Sequence, residues 1–361
     1  MATPVPTVLA KKRAFQGALL RWYARNGRVL PWRKNPSPYR TLVSEFMLQQ
    51  TRVETAIPFF ERFLKRFPNL RSLAQAPRAK VLLSWAGLGY YARARNLHRA
   101  CRIILKDHEG KIPRRKADLL KLPGFGPYLA GAVASLAFGE PVAALDGNTG
   151  RVMTRLLGRG GDIRRKELEG WVEALLPPRR ASDFNQALMD LGAMVCLPKH
   201  PRCPSCPLKN YCQWKGDNDR EGWKKKIRLR NENWLVALIQ KGDRFFLHRK
   251  EGRGLLAGLW QFPCFPHPDG MREEEREKKE WLAGMIRERF GLKIEVKETL
   301  PRKEAFFTHL HAILEPYRCE MKGRLPSASR KGERWVRPSD FCRLAVSAAM
   351  KKVAAMVFEG R

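Results

Sequence analysis

The 361-residue sequence has no apolar run approaching the ~20 residues that span a bilayer; its longest, around Tyr128–Phe138, has the length of a core helix. Its opening residues, MATPVPTVLAKKR, lack the apolar stretch of a secretory signal. These absences lead to the expectation of a soluble protein that meets no membrane and is cytoplasmic (nucleoid-associated in a prokaryotic source). Thiols stay reduced there, so the eight cysteines need a role other than disulfides. Acidic residues are also scarce: 35 Asp and Glu stand against 70 Lys and Arg, a formal net charge of +35. The bases are spread along the whole chain. A globular protein this basic fits a polyanionic partner, nucleic acid first among them. A general surface bias of the source organism is the rival explanation. No internal repeat is present, and the length fits two or three domains.

What is present divides the chain in two. Residues 13–30 have the period of an amphipathic helix that stops before Pro31. Thr41–Phe63 reads as helix broken near Pro58, and Ser72–Ala86 as one further helix. Ala92–Asp107, Ala117–Lys121, Tyr128–Phe138, Asn148–Leu157, Arg165–Leu176 and Asp183–Cys196 continue the pattern, punctuated by Pro, Gly and Asn. This all-α half, 1–215, ends in a cysteine-rich loop at 196–212. A polar, basic stretch, 216–231, reads as a linker. From 232 to 361 the pattern becomes α+β. Trp234–Gln240 and Phe245–Arg249 flank Lys241-Gly242-Asp243 as a β-hairpin. Met271–Phe290 is a charged helix closed by Gly291, Leu292–Lys297 and Glu304–Leu314 are strands, and Ala345–Phe358 is a closing helix.

Three constellations carry chemistry. Leu122-Pro-Gly-Phe-Gly-Pro-Tyr128 is a tight turn between helices. Gly124 and Gly126 are able to take positive φ and bring bare backbone amides close to a phosphate at a helix start. Asp146 follows about twenty residues later, in Leu-Asp-Gly-Asn148; standing alone, this segment reads as a helical hairpin with an N-cap aspartate. The second is Cys196, Cys203, Cys206 and Cys212, four thiols within seventeen residues, suited to a tetrahedral metal or an iron–sulfur cube. Cys101, Cys264, Cys319 and Cys342 show no ligand spacing. The third is Glu45, which lies among Leu42, Val43, Phe46 and Met47 on a helix, where desolvation raises a carboxyl pKa.

Together these features resemble the helix–hairpin–helix base-excision DNA glycosylases. Leu42-Val-Ser-Glu45-Phe-Met-Leu-Gln-Gln50-Thr51 and Gly87-Leu-Gly-Tyr90-Tyr91 are similar to the MutY branch, the adenine DNA glycosylases. The likeness runs from about residue 13 to the C-terminus. It implies a multidomain α and α+β protein: an all-α glycosylase domain with an iron–sulfur loop, then a Nudix-like lesion-recognition domain. Spacing and resemblance together place a [4Fe–4S] cluster ahead of zinc at the four cysteines. The implied activity is removal of adenine mispaired with 8-oxoguanine (or guanine) in duplex DNA by a monomer. Glu45 would protonate adenine N7, and Asp146, with Asn148 beside it, would stabilise the cationic sugar, as paired carboxylates do in glycoside hydrolysis.

The resemblance assigns further residues. Gln50 and Tyr90 would insert into the duplex, with Thr51 beside Gln50, while Trp32, Arg33 and Gln186 would line the adenine pocket. Bifunctional relatives carry a Schiff-base lysine at the position of Tyr128, and a phenol cannot perform that step. The expectation is therefore a monofunctional enzyme that leaves an abasic site, with Tyr128 partnering Asp146. Gly254-Leu-Leu-Ala-Gly-Leu-Trp260-Gln-Phe-Pro resembles the Nudix domain of this branch. Its metal-binding acids are depleted, with Gly284 and Met285 at the Arg-Glu positions and Glu288-Arg289 at the glutamate pair, so a reader is expected rather than a hydrolase. Phe307-Thr308-His309 matches a Phe-Ser-His loop that contacts 8-oxoguanine, with threonine keeping the hydroxyl and adding a methyl group. The alternatives are an endonuclease III-type glycosylase and a non-catalytic DNA-binding protein with structural zinc.

Overall fold

The computed structural model describes residues 7–159, 163–214, 216, 229–252, 254–268, 274–307, 309–325 and 330–358. The chain folds into two compact units, residues 1–76 with 93–225, and residues 77–92 with 226–361. The second therefore includes Pro77–Ala92, a stretch inside the first expected domain. Most of the expected linker lies outside the described residues.

The helices in chain order are α1 (Thr7–Ala10), α2 (Lys12–Asn26), α3 (Pro31–Lys34), α4 (Pro38–Leu48), α5 (Val53–Arg66), α6 (Leu70–Gln75), α7 (Arg78–Trp85), α8 (Tyr91–Asp107), α9 (Lys116–Leu119), α10 (Pro127–Phe138), α11 (Gly147–Leu156), α12 (Arg165–Leu175) and α13 (Ala181–Met194). The break expected near Pro58 falls instead at residues 49–52, and Pro58 lies inside α5. Pro58 and Glu54, whose carbonyl loses its helical donor, are both exposed, where the unmade bond costs least. The single helix expected over Ser72–Ala86 is split at Pro77, which disfavours helical geometry in the residue before it.

In the first unit α10 is the buried axis. Leu129 through Ser135 are all buried, as an almost wholly apolar sequence requires. Gly131 permits a close approach: a Cβ there would sit 2.2 Å from the Ala143 carbonyl oxygen, so the segment leading to Asp146 rests directly on the helix. One core cluster joins Phe15 and Leu19 of α2 to Val152, Met153 and Leu156 of α11, Leu168 and Val172 of α12, and Phe184 and Leu188 of α13. Truncating Phe15 or Phe184 in such a setting costs about 3–5 kcal/mol.

The second unit is built on a mixed sheet of β1 (Arg230–Lys241), β2 (Arg244–Arg249), β3 (Trp260–Gln261), β4 (Cys264–Pro266), β5 (Ile294–Thr299), β6 (Lys303–Phe306), β7 (Leu310–Met321) and β8 (Glu333–Val336). Its spine runs β3-β2-β1-β7-β5, with β4 on β1, β6 on β7 and β8 on β2. β1 and β7 pair in parallel, and Lys241 opposite Arg244 closes the expected hairpin. Leu235, Ala237 and Ile239 turn to α14 (Glu275–Phe290), which contributes Leu282, Ile286 and Phe290 and ends at Gly291 in the left-handed conformation. On another cluster, Phe245, Phe262 and Phe341 gather around Phe358 of α16 (Ala348–Phe358), with α15 (Pro338–Phe341) beside it. The strand expected over Glu304–Leu314 is two strands. Phe306 pairs with His311, so the chain reverses between them.

Candidate active site

The helix–hairpin–helix turn joins α9 to α10. Gly124 has φ 84°, and a Cβ there would meet the Asn96 Cβ at 2.6 Å, so glycine is required on both counts. Gly126 departs from expectation. It caps α10 with φ −101° and ψ 176°, an extended backbone open to any residue, followed by Pro127 at the first helical position. Lacking a side chain, it leaves the helix start without a side-chain cap.

A cavity of about 970 Å³ opens among α3, α4, α10, α11 and α13. Trp32, Arg33, Glu45, Gln50, Thr51, Tyr128, Asp146, Asn148 and Gln186 all line it, although they come from positions 32 to 186 of the chain. Tyr90, Phe307 and His309 belong to the second unit. Thr308 lies outside the described residues.

Glu45 is 4% exposed at the inner face of α4. Its Oε2 accepts a 2.7 Å hydrogen bond from the Tyr128 hydroxyl. This corrects the expected partnership of Tyr128 with Asp146: the phenol holds the other carboxylate. Burial pushes the Glu45 pKa up to about 7; the Asp146 charge adds to the rise, while Tyr128 and Arg33 oppose it. Burial and the two neighbouring carboxylates raise the Tyr128 phenol well above its usual value, keeping it a donor.

Asp146 does two things at once. It is the N-cap of α11, its Oδ1 accepting from the Thr149 amide at 2.7 Å, and it lines the cavity. Its Oδ2 accepts from Asn148 Nδ2 at 3.3 Å. Burial raises its pKa, and the Thr149 and Asn148 bonds with the Arg151 charge hold that rise back. Glu45, held by the Tyr128 phenol, and Asp146, at a helix start that supplies the Thr149 amide and the Asn148 side chain as donors, thus occupy contrasting environments within one cavity.

Residues that sequence reading missed build the walls. Asp190, fully buried on α13, binds Arg33 Nη1 at 2.7 Å and Nη2 at 3.0 Å, Arg28 Nε at 2.8 Å, and the Arg28 amide at 2.9 Å. Burial alone would raise its pKa, but the Arg33 bonds and the two guanidinium charges carry it below the usual value. A lone acid within Leu188-Met-Asp-Leu191 was the available signal, since a carboxylate on an apolar helix face needs a cationic partner. Asn185 is also fully buried. It accepts from the Ala144 amide and donates to Ser135 and to the Val142 carbonyl, fixing the approach to Asp146. Trp32 packs edge-on to Phe60, and Gln186 donates to Ser182.

The cysteine loop follows α13, with short 3₁₀ turns at Cys203–Ser205 and Lys209–Tyr211. All four thiols are half-buried. Burial pushes the Cys206 pKa up to about 11, with the other three thiols adding to it. Arg155 of α11 points Nη1 at Cys196 Sγ (3.3 Å), donates to the Leu197 and Pro198 carbonyls, and lies over Trp214. Among the described residues, no three His, Cys, Asp or Glu side chains converge closely enough to form a metal-binding group.

In the second unit, His309 and Phe306 are exposed at the β6–β7 reversal, Phe306 by 66%, and Phe307 stacks on Trp234 at 6.0 Å. Tyr90 is 44% exposed and has φ 48°, an uncommon backbone state for an aromatic residue.

Residues 43–178 match the HhH-GPD superfamily of base excision DNA repair proteins, and residues 235–356 match the NUDIX domain. The adenine DNA glycosylase of Buchnera aphidicola subsp. Schizaphis graminum is 39% identical over 264 residues, which span 70% of this chain and 75% of that protein. The Homo sapiens adenine DNA glycosylase is 32% identical over 415 residues, spanning 98% of this chain and 75% of that protein. Among solved structures, a thermostable thymine-DNA glycosylase, 30% identical, aligns with a TM-score of 0.53 over 57% of this chain and 96% of its own. A non-covalent endonuclease III–DNA complex, 24% identical, shares the fold with a TM-score of 0.50 over 59% of this chain and 96% of that one.

Fold and cavity together define a DNA N-glycosylase of the helix–hairpin–helix class, a hydrolase of base-excision repair. Within that class, the chain belongs to the adenine DNA glycosylase family.

Proposed function

We propose that this protein excises adenine paired with 8-oxoguanine in duplex DNA, acting as a monomer and a monofunctional hydrolase. The observation that carries the reading is Glu45, a buried carboxyl whose pKa burial pushes up to about 7, sharing with Asp146 a cavity of about 970 Å³ that is large enough to admit a purine. The adenine is extruded into the cavity against Trp32, Arg33 and Gln186. Protonated Glu45 gives its proton to adenine N7 as the C1′–N9 bond breaks and the bonding electrons leave with the base. Asp146 faces the positive charge left on the sugar, with Asn148 orienting it. Water then adds at C1′ and loses a proton, leaving an abasic site. Tyr128 keeps Glu45 in place and, lacking an amine, forms no covalent link to the sugar.

Gly124 and the open start of α10 grip a backbone phosphate, Gln50, Thr51 and Tyr90 hold the duplex apart, and Phe307, Thr308 and His309 contact the opposite 8-oxoguanine. Cys196, Cys203, Cys206 and Cys212, four half-buried thiols of one loop, would draw together around a [4Fe–4S] cluster, with the Arg155 guanidinium beside Cys196 to balance thiolate charge. Such a cluster would cross-link the loop and add a redox-capable centre. Absorption near ~400 nm is its signature, and a colourless, zinc-containing protein would remove it. The function is tested by single-turnover excision from duplexes with 8-oxoguanine, guanine or cytosine opposite adenine. Fastest release opposite 8-oxoguanine supports the reading; equal rates opposite all three would overturn the lesion specificity.

A further inference from the structure

The helix that carries Glu45 ends three residues beyond it, at Leu48, and the next helix starts at Val53. Between them the chain turns sharply. Gln50 has φ 58°, a left-handed state that side-chain-bearing residues occupy only when their surroundings hold them there. The side chain of Gln50 is exposed and lines the cavity. This turn also strips helical partners from the last carbonyls of α4: the Thr51 amide bonds Leu48, one residue short of the α-helical register.

One side chain answers this. Arg93, in the first turn of α8, is 7% exposed. Its Nη1 donates to the carbonyls of Met47 (2.7 Å), Phe46 (3.3 Å) and Gln49, and its Nη2 donates to Thr51 Oγ1 at 3.0 Å. A planar guanidinium thus spans the turn from 46 to 51, and its positive charge sits where the dipole of α4 is negative. An ammonium offers a single point and cannot bridge the carbonyls of 46–49 and the hydroxyl of 51 together. We propose that Arg93 is a positioning residue for base extrusion: it clamps the 49–51 turn in the left-handed state that aims Gln50 into the duplex. Arg93 touches no reacting atom and acts through Gln50 and Thr51. The inference rests on the proposed excision of adenine from duplex DNA.

The test uses the full-length protein with Arg93→Gln, Arg93→Lys, Gln50→Ala and the double variant Gln50→Ala/Arg93→Gln. Each is assayed under single turnover on an 8-oxoguanine:adenine duplex and on the same adenine unpaired in a loop. A 2-aminopurine beside the target reports unstacking. Arg93→Gln should slow duplex excision by about tenfold or more and lose the fluorescence rise, while unpaired adenine is released within about threefold of wild type. Gln50→Ala should likewise slow duplex excision and lose the fluorescence rise, and the double variant should be no slower on the duplex than the slower single. Should Arg93→Gln fail to fold, Arg93→Lys carries the test with the same split at smaller amplitude. Equal losses on both substrates, or losses that multiply in the double variant, would overturn the assignment and make Arg93 a general structural support. A wild-type protein that releases adenine from neither substrate would instead overturn the proposed function itself.

Discussion

The excision cavity and the β6–β7 tip are built on opposite physical terms. Glu45 and Asp190 are almost or wholly sealed from water, and Tyr128 and Arg33 hold them in place. At the tip, His309 and Phe306 stand in solvent, with Phe306 stacked on His311 and Phe307 on Trp234. Burial shifts the carboxyl groups, so the chemistry of the cavity is fixed before DNA arrives. Exposed groups gain their energy only from what they meet, which suits comparison of one base with another. Loss of a cavity residue should therefore change rate and stability by orders of magnitude, and loss of a tip residue should change preference by a small factor.

The largest expected effect is at the acid. Glu45→Gln should lower single-turnover base release by about 10²–10⁴-fold while lesion-duplex affinity is kept, as measured by binding titration. Equal loss of binding and release would reduce Glu45 to a structural role and erase the contrast with the tip. Asp190→Asn leaves Arg28 and Arg33 without their buried counter-charge and should cost about 3–5 kcal/mol in denaturant unfolding. A change under about 1 kcal/mol would show that water already screens this wall.

Glu45 also links stability to pH. Its folded pKa lies above the unfolded value of 4.5, so below pH 4.5 both states hold the proton and its contribution is complete. As pH rises from 4.5 to about 7, the unfolded chain gives up the proton while the folded one keeps it, and wild-type stability falls by roughly 3 kcal/mol. Glu45→Gln cannot titrate. Its stability relative to wild type should climb across that window and level off above it. The smallest effect belongs to the tip: His309→Ala should cut the preference for 8-oxoguanine over guanine opposite adenine by about fivefold, one hydrogen bond's worth. It should leave the pH behaviour of the cavity untouched.

How much of this could be read from the sequence depends on the range of the interactions. Gly124 of the helix–hairpin–helix turn, the apolar α10 and the acid within Leu42–Met47 are local patterns that the structure places as expected, while Gly126 takes an ordinary extended backbone. Asp146 was readable either as an N-cap or as a cavity carboxylate, and it is both. The Tyr128–Glu45 bond spans 83 positions and the Arg33–Asp190 pair 157, and no local period encodes either. Arg93 is one of two arginines in Tyr91-Ala-Arg-Ala-Arg-Asn96, and only its packing singles it out. In the second unit, β3, β4 and β8 are two to four residues long, too short to show alternation. The β6–β7 reversal carries neither Gly nor Pro at Phe307–His309, so the sequence read through it as one strand.

On the proposed mechanism, a carboxyl desolvated by α4 and α10 delivers the proton that releases the base. The pH dependence of single-turnover adenine excision, from pH 5 to 9 at constant ionic strength, tests it most directly. With Glu45 protonated below and ionised above about pH 7, the rate should fall tenfold per unit on the alkaline side of that value. Tyr128→Phe, which removes the bond favouring the ionised form, should move the fall up by about one unit. A rate that stays level to pH 9 in the wild type would contradict the account.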